Sequence, residues 1–310
     1  MTDLPVIAIR FALYADLMVL AGLVAFTFYG LTPDERASDV LPLRKPACAL
    51  ALISLVLSGI GMMALIAAMT GTGITAIDKE TAQSIIGETA IGTAWIVRMA
   101  AMSGALVFAL LLGKRPSIAL IGLLLSSSLA IATLVWTGHA GASEGWQGTL
   151  HRTADVLHML AASVWIGGIA AFAWLLFRPV ARQSQPLLAM THRALEQFSR
   201  VGTLAVGMII ITGIANSLIL LGWPDPARLA SSTYGRLLLA KLALFGAMLL
   251  LAAVNRWRLT PALGASVQSG GGPSALRHLR RSLVAEGSAA LVILALVAWL
   301  GTLQPLGGTA

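Results

Sequence analysis

Charge is scarce in this 310-residue chain: Asp, Glu, Lys and Arg together make up 11% of it, against 57% apolar residues. The mean hydropathy of +0.85 excludes a soluble globular domain of this length. Cysteine is nearly absent. Cys48 stands alone, so no internal disulfide can form, and beside Pro46 at a predicted helix start it reads as packing rather than as a ligand. Missing too are a phosphate loop, a dinucleotide-binding glycine motif and HExxH. Nucleotide binding and ATP-driven pumping by this chain are therefore not expected, and nothing marks it as an enzyme. The formal net charge of +8 would suggest nucleic acid in a soluble protein. Here the basic residues gather in short segments between apolar runs, so they read as topology signals and no nucleic-acid partner is expected.

What the chain does have is apolar runs of crossing length, about eight of them at roughly twenty residues each. They cover approximately residues 6–30, 47–69, 89–112, 117–137, 150–177, 198–221, 234–257 and 283–303, separated by Gly and Pro breakers. The fold class expected is all-α, a polytopic helical bundle in one transmembrane domain over residues 1–310, with the lipid bilayer as its surroundings. Segments after the first, third, fifth and seventh runs carry Arg36, Arg44 and Lys45; Lys114 and Arg115; Arg178, Arg182 and Arg193; and Arg258, Arg277, Arg280 and Arg281. The alternate segments offer Lys79, Arg152 and Arg228. Basic loops stay in the cytoplasm, which places both termini on the periplasmic side. The opening MTDLPVIAIR has an acidic residue where a signal peptide would be basic, and reads as a retained first helix. The Gly/Ser-rich QSGGGPS around Gly271 reads as a flexible cytoplasmic loop.

Three of the five histidines fall between His139 and Trp165, in HAGASEGWQGTLHRTADVLHMLAASVW. At about 100° per residue His151, Asp155 and His158 lie within an arc of about 60° on one helix. One face thus carries two imidazoles with a carboxylate between them. His139, across a Gly-rich hinge, can fold back to the same place, and the set suits a first-row transition metal such as Cu, Zn or Ni. Each residue has a plainer alternative: a helix–helix hydrogen bond for His158, an interfacial position for His151, a helix C-cap for His139 and an Arg152 pairing for Asp155. Glu144 and Met159 are possible extra ligands, the thioether favouring Cu(I). Trp165, on the same face and deeper, is placed to wall the site.

The stretches GHAG, HRTADVLHMLAASVWIGGI, FSRVGTLAVGMIIITGIANS and YGRLLLAKLALFGAMLLLAAVNRWRL together resemble the copper resistance protein D family, over residues 136–258. The resemblance implies an inner-membrane copper-handling protein, copper uptake towards the cytoplasm, and association with a periplasmic copper-binding partner supplied by another chain. It carries a metal role onto His139, His151 and His158 and an acidic role onto Asp155, with a copper ion, Cu(I) or Cu(II), as the cargo.

Elsewhere, Asp16 and Arg98 lie at about equal depth, 14 to 15 Å by helical rise, and are expected to pair, either fixing register or acting as a gate. Met62 and Met63 are possible soft stepping stones but also common filler. Asn216, Lys241, Asn255 and Glu286 are further polar positions in apolar helices. His192 and His278 sit among arginines and read as solvated or headgroup contacts. Two rivals stay open. A haem-binding electron carrier would need a second deep histidine on another helix, and the sequence shows none. A metal-binding membrane sensor or scaffold would bind without moving the ion.

Overall fold

A computed structural model describes residues 4–38, 40–178, 185–223, 226–268 and 273–305. Eight helices long and apolar enough to cross a membrane are present, and no strand occurs among the described residues. We number them α1 (Leu4–Gly30), α2 (Arg44–Thr70), α3 (Ala90–Leu111), α4 (Pro116–Ala132), α5 (Gly145–Leu176), α6 (Gln185–Leu221), α7 (Thr233–Val254) and α8 (Pro273–Leu300). In hydrocarbon every backbone N–H and C=O must be satisfied within its own segment, so apolar runs of this length become helices. The breakers then set the ends. Pro116 opens α4, and α2 stops where Gly71 takes the left-handed conformation at φ 68°.

Two expected boundaries move. The sixth run begins at Gln185 rather than 198, and the eighth at Pro273 rather than 283. Arg193, His192, Arg277, His278, Arg280 and Arg281 are consequently helical, not in loops. The cause is amphipathic: these N-terminal extensions are polar on one side, so hydropathy ended the run early while the helix continued. The expected loop around Gly271 and the loop residue Arg182 lie outside the described residues.

α1 is the hub. It packs on α2, α4, α5, α6 and α8, and its side chains from Leu13 to Phe26 are mostly buried. Its closest neighbour is α5, where Gly22 meets Gly167. A Cβ on Gly22 would overlap the Ser163 carbonyl oxygen and the Gly167 backbone, so the two helices touch backbone to backbone. Outward faces carry lipid-facing stripes at helical spacing, as in Ile118, Ile121, Leu125 and Leu129. α6 packs on α5 and α7 on α8. Between these two pairs lie the cavities described below.

At one end of the bundle, Glu35 accepts from Arg193 on α6, Arg178 donates to the Val40 carbonyl, and Arg280 donates to Leu176 O at 2.8 Å. Partial burial pushes the Glu35 carboxyl up, but its bonds to Arg193 and to the Thr32 backbone outweigh this and hold it below the usual carboxylate range. A depressed carboxylate contributes stability at neutral pH that is lost as pH falls through its lowered value. Because the pair is half exposed, Glu35→Ala should cost less than about 1 kcal/mol. Thermal unfolding at pH 7 and at pH 3.5 checks this, the difference between variant and parent shrinking at the lower pH.

Candidate metal site

His139, His151, Asp155 and His158 line one cavity of about 210 Å³ at the opposite end of the bundle. Three elements position them. After α4 the chain tightens into a 3₁₀ turn, Thr133–Thr137, and then a short helix, His139–Ala142. That turn brings His139 back over the start of α5, which carries the other three residues. Gly141 and Gly148 allow the fold-back, since a Cβ on either would run into the Trp136 or the Ser143 backbone.

Each imidazole has one nitrogen engaged. His139 Nε2 lies 3.2 Å from Leu300 O at the end of α8. A carbonyl only accepts, so Nε2 carries the proton and Nδ1 the lone pair. Burial holds the His139 imidazolium below its ordinary range, the Leu300 bond only partly opposing this, so the ring is neutral at pH 7. His139 does cap a helix C-terminus, but that of α8 rather than of the preceding helix. His151 Nδ1 meets Ser143 Oγ at 3.0 Å. His158 Nδ1 meets Thr212 Oγ1 at 3.0 Å on α6, and that hydroxyl already donates to Met208 O at 2.6 Å. Thr212 must therefore accept, Nδ1 must donate, and a neutral His158 presents Nε2 as a bare lone pair. The helix–helix bond set out above as the alternative for His158 is present, and it leaves the ring in the tautomer of a metal ligand.

Replacing Thr212 by Val removes that acceptor without changing volume much. For a metal ion held by His158 Nε2, affinity should fall about 10- to 100-fold, the usual effect of losing an outer partner of a ligating imidazole. Thr212→Ser should retain it. Isothermal titration of both variants checks the pair.

Asp155 accepts from Asn216 Nδ2 at 3.3 Å and faces the Lys241 ammonium beyond ion-pair distance. The alternative Arg152 pairing does not form, because Arg152 Nη1 donates to Ser143 O at 2.8 Å instead. Arg10 also reaches the cavity, donating to Thr137 O at 3.1 Å and Tyr14 Oη at 3.2 Å. One carboxylate thus stands against two cations. Any hold on a metal rests on imidazole lone pairs rather than on net negative charge. Among the described residues no three His, Cys, Asp or Glu side chains are gathered into a ready metal cluster, so the four share a cavity without converging on one point.

The other expected residues divide. Met159 lines the cavity and is buried. Glu144 is exposed at the N-cap of α5, with no capping bond from its side chain, and does not line the cavity. Trp165 is buried deeper, between the next two cavities. Met62 and Met63 sit on α2 and line none of these cavities. The expected Asp16–Arg98 ion pair is corrected: Asp16 accepts from Ser54, while Arg98 Nε donates to Ser58 Oγ at 3.1 Å. Equal depth put the two charges at one level. Two serines of α2, one turn apart, take their bonds instead.

Sequence reasoning missed Arg10, Tyr14, Met18 and Tyr234 as cavity residues and weighed Lys241 and Asn216 lightly. Arg10 and Lys241, charges in the outer halves of apolar helices, carried the signal.

The family description "Copper resistance protein D-like, N-terminal domain" matches residues 1–149, and "Copper resistance protein D" matches residues 192–300. Copper resistance protein D of Pseudomonas syringae pv. tomato is 41% identical over 300 residues, 96% of each chain. Inner membrane protein YebZ of Escherichia coli (strain K12) is 28% identical over 262 residues, 82% of this chain and 84% of that one. Copper transport protein CutJ of Bacillus subtilis (strain 168) is 32% identical over 180 residues, 54% of this chain and 30% of the relative. No solved structure matches the chain.

Proposed function

Because this chain belongs to the copper resistance protein D family, a multi-pass inner-membrane protein with a copper-related role, we propose that it takes copper ions from the periplasmic side and carries them across the membrane. The observation that carries this reading is one cavity receiving three imidazoles and a carboxylate from two segments, with His158 held in the ligand tautomer. The Lys/Arg imbalance supports the histidine end as periplasmic, since Arg36, Arg193 and Arg280 cluster at the other. Lys241 faces Asp155 across the cavity. An arriving ion takes the imidazole lone pairs, and Asp155 then has a second cation to share. Met159 and Met18 supply soft sulfur beside the imidazoles.

His158 lines both the outer cavity and a larger apolar cavity of about 410 Å³ between α5, α6, α7 and α8. It therefore stands where an ion leaves the first for the second. The carrier role is tested by copper uptake into proteoliposomes containing only this protein. Uptake above protein-free vesicles supports it, and binding without uptake favours the sensor or scaffold. A periplasmic copper-binding donor would dock at the same end, and adding one to this assay should raise the uptake rate. No haem is needed by this reading, so a Soret band in the purified protein would count against it.

A further inference from the structure

Glu286 on α8 is buried to 3% exposure in the middle of the bundle, far from the histidine end. It is 14 residues before Leu300, or about 21 Å along the helix. Trp165 is 14 residues after His151 on α5, at the matching level. Between them lies a third cavity of about 220 Å³, lined by Glu286, Asn255, Thr260 and Trp165 among others. Trp165 also lines the apolar cavity that His158 enters. The three cavities thus run in series down the α5–α8 half, with the Trp165 indole as the wall between the last two.

The polar groups around Glu286 leave one buried acceptor without a partner. Asn255 Nδ2 donates to Glu286 Oε1, and Ser282 Oγ lies 3.5 Å from the same oxygen. A carboxylate accepts, so Asn255 turns its NH₂ to Glu286 and leaves its carbonyl Oδ1 buried with no hydrogen-bond partner. The buried indole Nε1 of Trp165 lies near Glu286 but outside hydrogen-bonding geometry. Among the described residues no Lys or Arg forms an ion pair with Glu286. Arg256 lines the same cavity but donates to Thr203 Oγ1 instead, and a buried acidic group without an ion-pair partner in a bilayer marks a functional position. Asn255 opens a π-helical turn, Asn255–Leu259, a wide turn that is frequent at functional sites.

We propose that Glu286 and Asn255 Oδ1, with Ser282 supporting the carboxylate from behind, form a second, inner copper station, to which the ion passes after Trp165. The inference rests on the transport reading above. An all-oxygen donor set holds copper less tightly than imidazole does, which suits a station that must release its ion.

The test uses the whole protein. Dicyclohexylcarbodiimide labels carboxyl groups in apolar surroundings, and mass spectrometry reports the label at Glu286 with and without copper. Copper should reduce labelling there at least fivefold. In proteoliposomes Glu286→Gln should lower copper uptake at least tenfold while leaving tight binding at the histidine cavity unchanged, and Glu286→Asp should recover part of the rate. Equal labelling with and without copper, or full uptake by Glu286→Gln, overturns the inner station and leaves the outer site standing. A wild-type protein that neither binds nor moves copper overturns both.

Discussion

Copper uptake by His158→Ala proteoliposomes should fall by well over about 100-fold, with a smaller loss, about 100-fold, in equilibrium binding. Removing even an outer partner of a ligating imidazole costs about 10- to 100-fold, and removing the ligand costs at least as much. The split between the two effects follows from position. His139 and His151 remain in the outer cavity and keep part of the affinity, whereas His158 is the residue shared with the next cavity inward. Its loss removes the only imidazole at that junction among the described residues. Binding lost at the outer cavity with uptake intact would show that the cavity is not on the transport path.

The second large effect concerns the scaffold. Gly22→Val should abolish accumulation of folded protein, because side-chain atoms there meet backbone on α5 rather than movable side chains. Overpacking a core ordinarily costs about 1–3 kcal/mol, and a backbone that cannot yield puts this substitution at or above the upper end. The histidine cavity depends on the same contact, since α5 carries His151, Asp155 and His158 and is seated on α1 through Gly22 and Gly167. Gly207→Ala is the control: nothing lies within 4 Å of a Cβ at that position, so it should be neutral. Membrane yield and thermal unfolding in detergent report both. A normal yield of Gly22→Val would mean that α1 and α5 do not touch as described.

Much of this was legible in the chain because membrane physics leaves few choices. Twenty-residue apolar runs dictate helices, and the 3.6-residue period places His151, Asp155 and His158 on one face whatever surrounds them. What the chain could not show were contacts made across helices. Asp16 and Arg98 are level, yet Ser54 and Ser58 take their bonds, because depth fixes height along the membrane normal and not the direction a side chain turns. Asn216 bonds to Asp155, and Lys241 comes to face it, only through the packing of α6 and α7 near α5. Gly22 is unremarkable in an apolar run, and only the fold sets Gly167 opposite it. The long N-terminal extension of α6 is hidden for a different reason, as its arginines and histidine lower hydropathy without breaking the helix.

The central claim is that copper is held at the histidine end by imidazole lone pairs. The most direct measurement is titration of the purified protein with Cu(I) under anaerobic conditions and with Cu(II) in air, beside a variant with His139, His151 and His158 all changed to Ala. Tight binding in the parent that the triple variant loses, with its helical content and unfolding temperature unchanged, is the predicted result. Equal binding in the two proteins, or none in either, would contradict the account and return the three histidines to the Leu300, Ser143 and Thr212 bonds they already make.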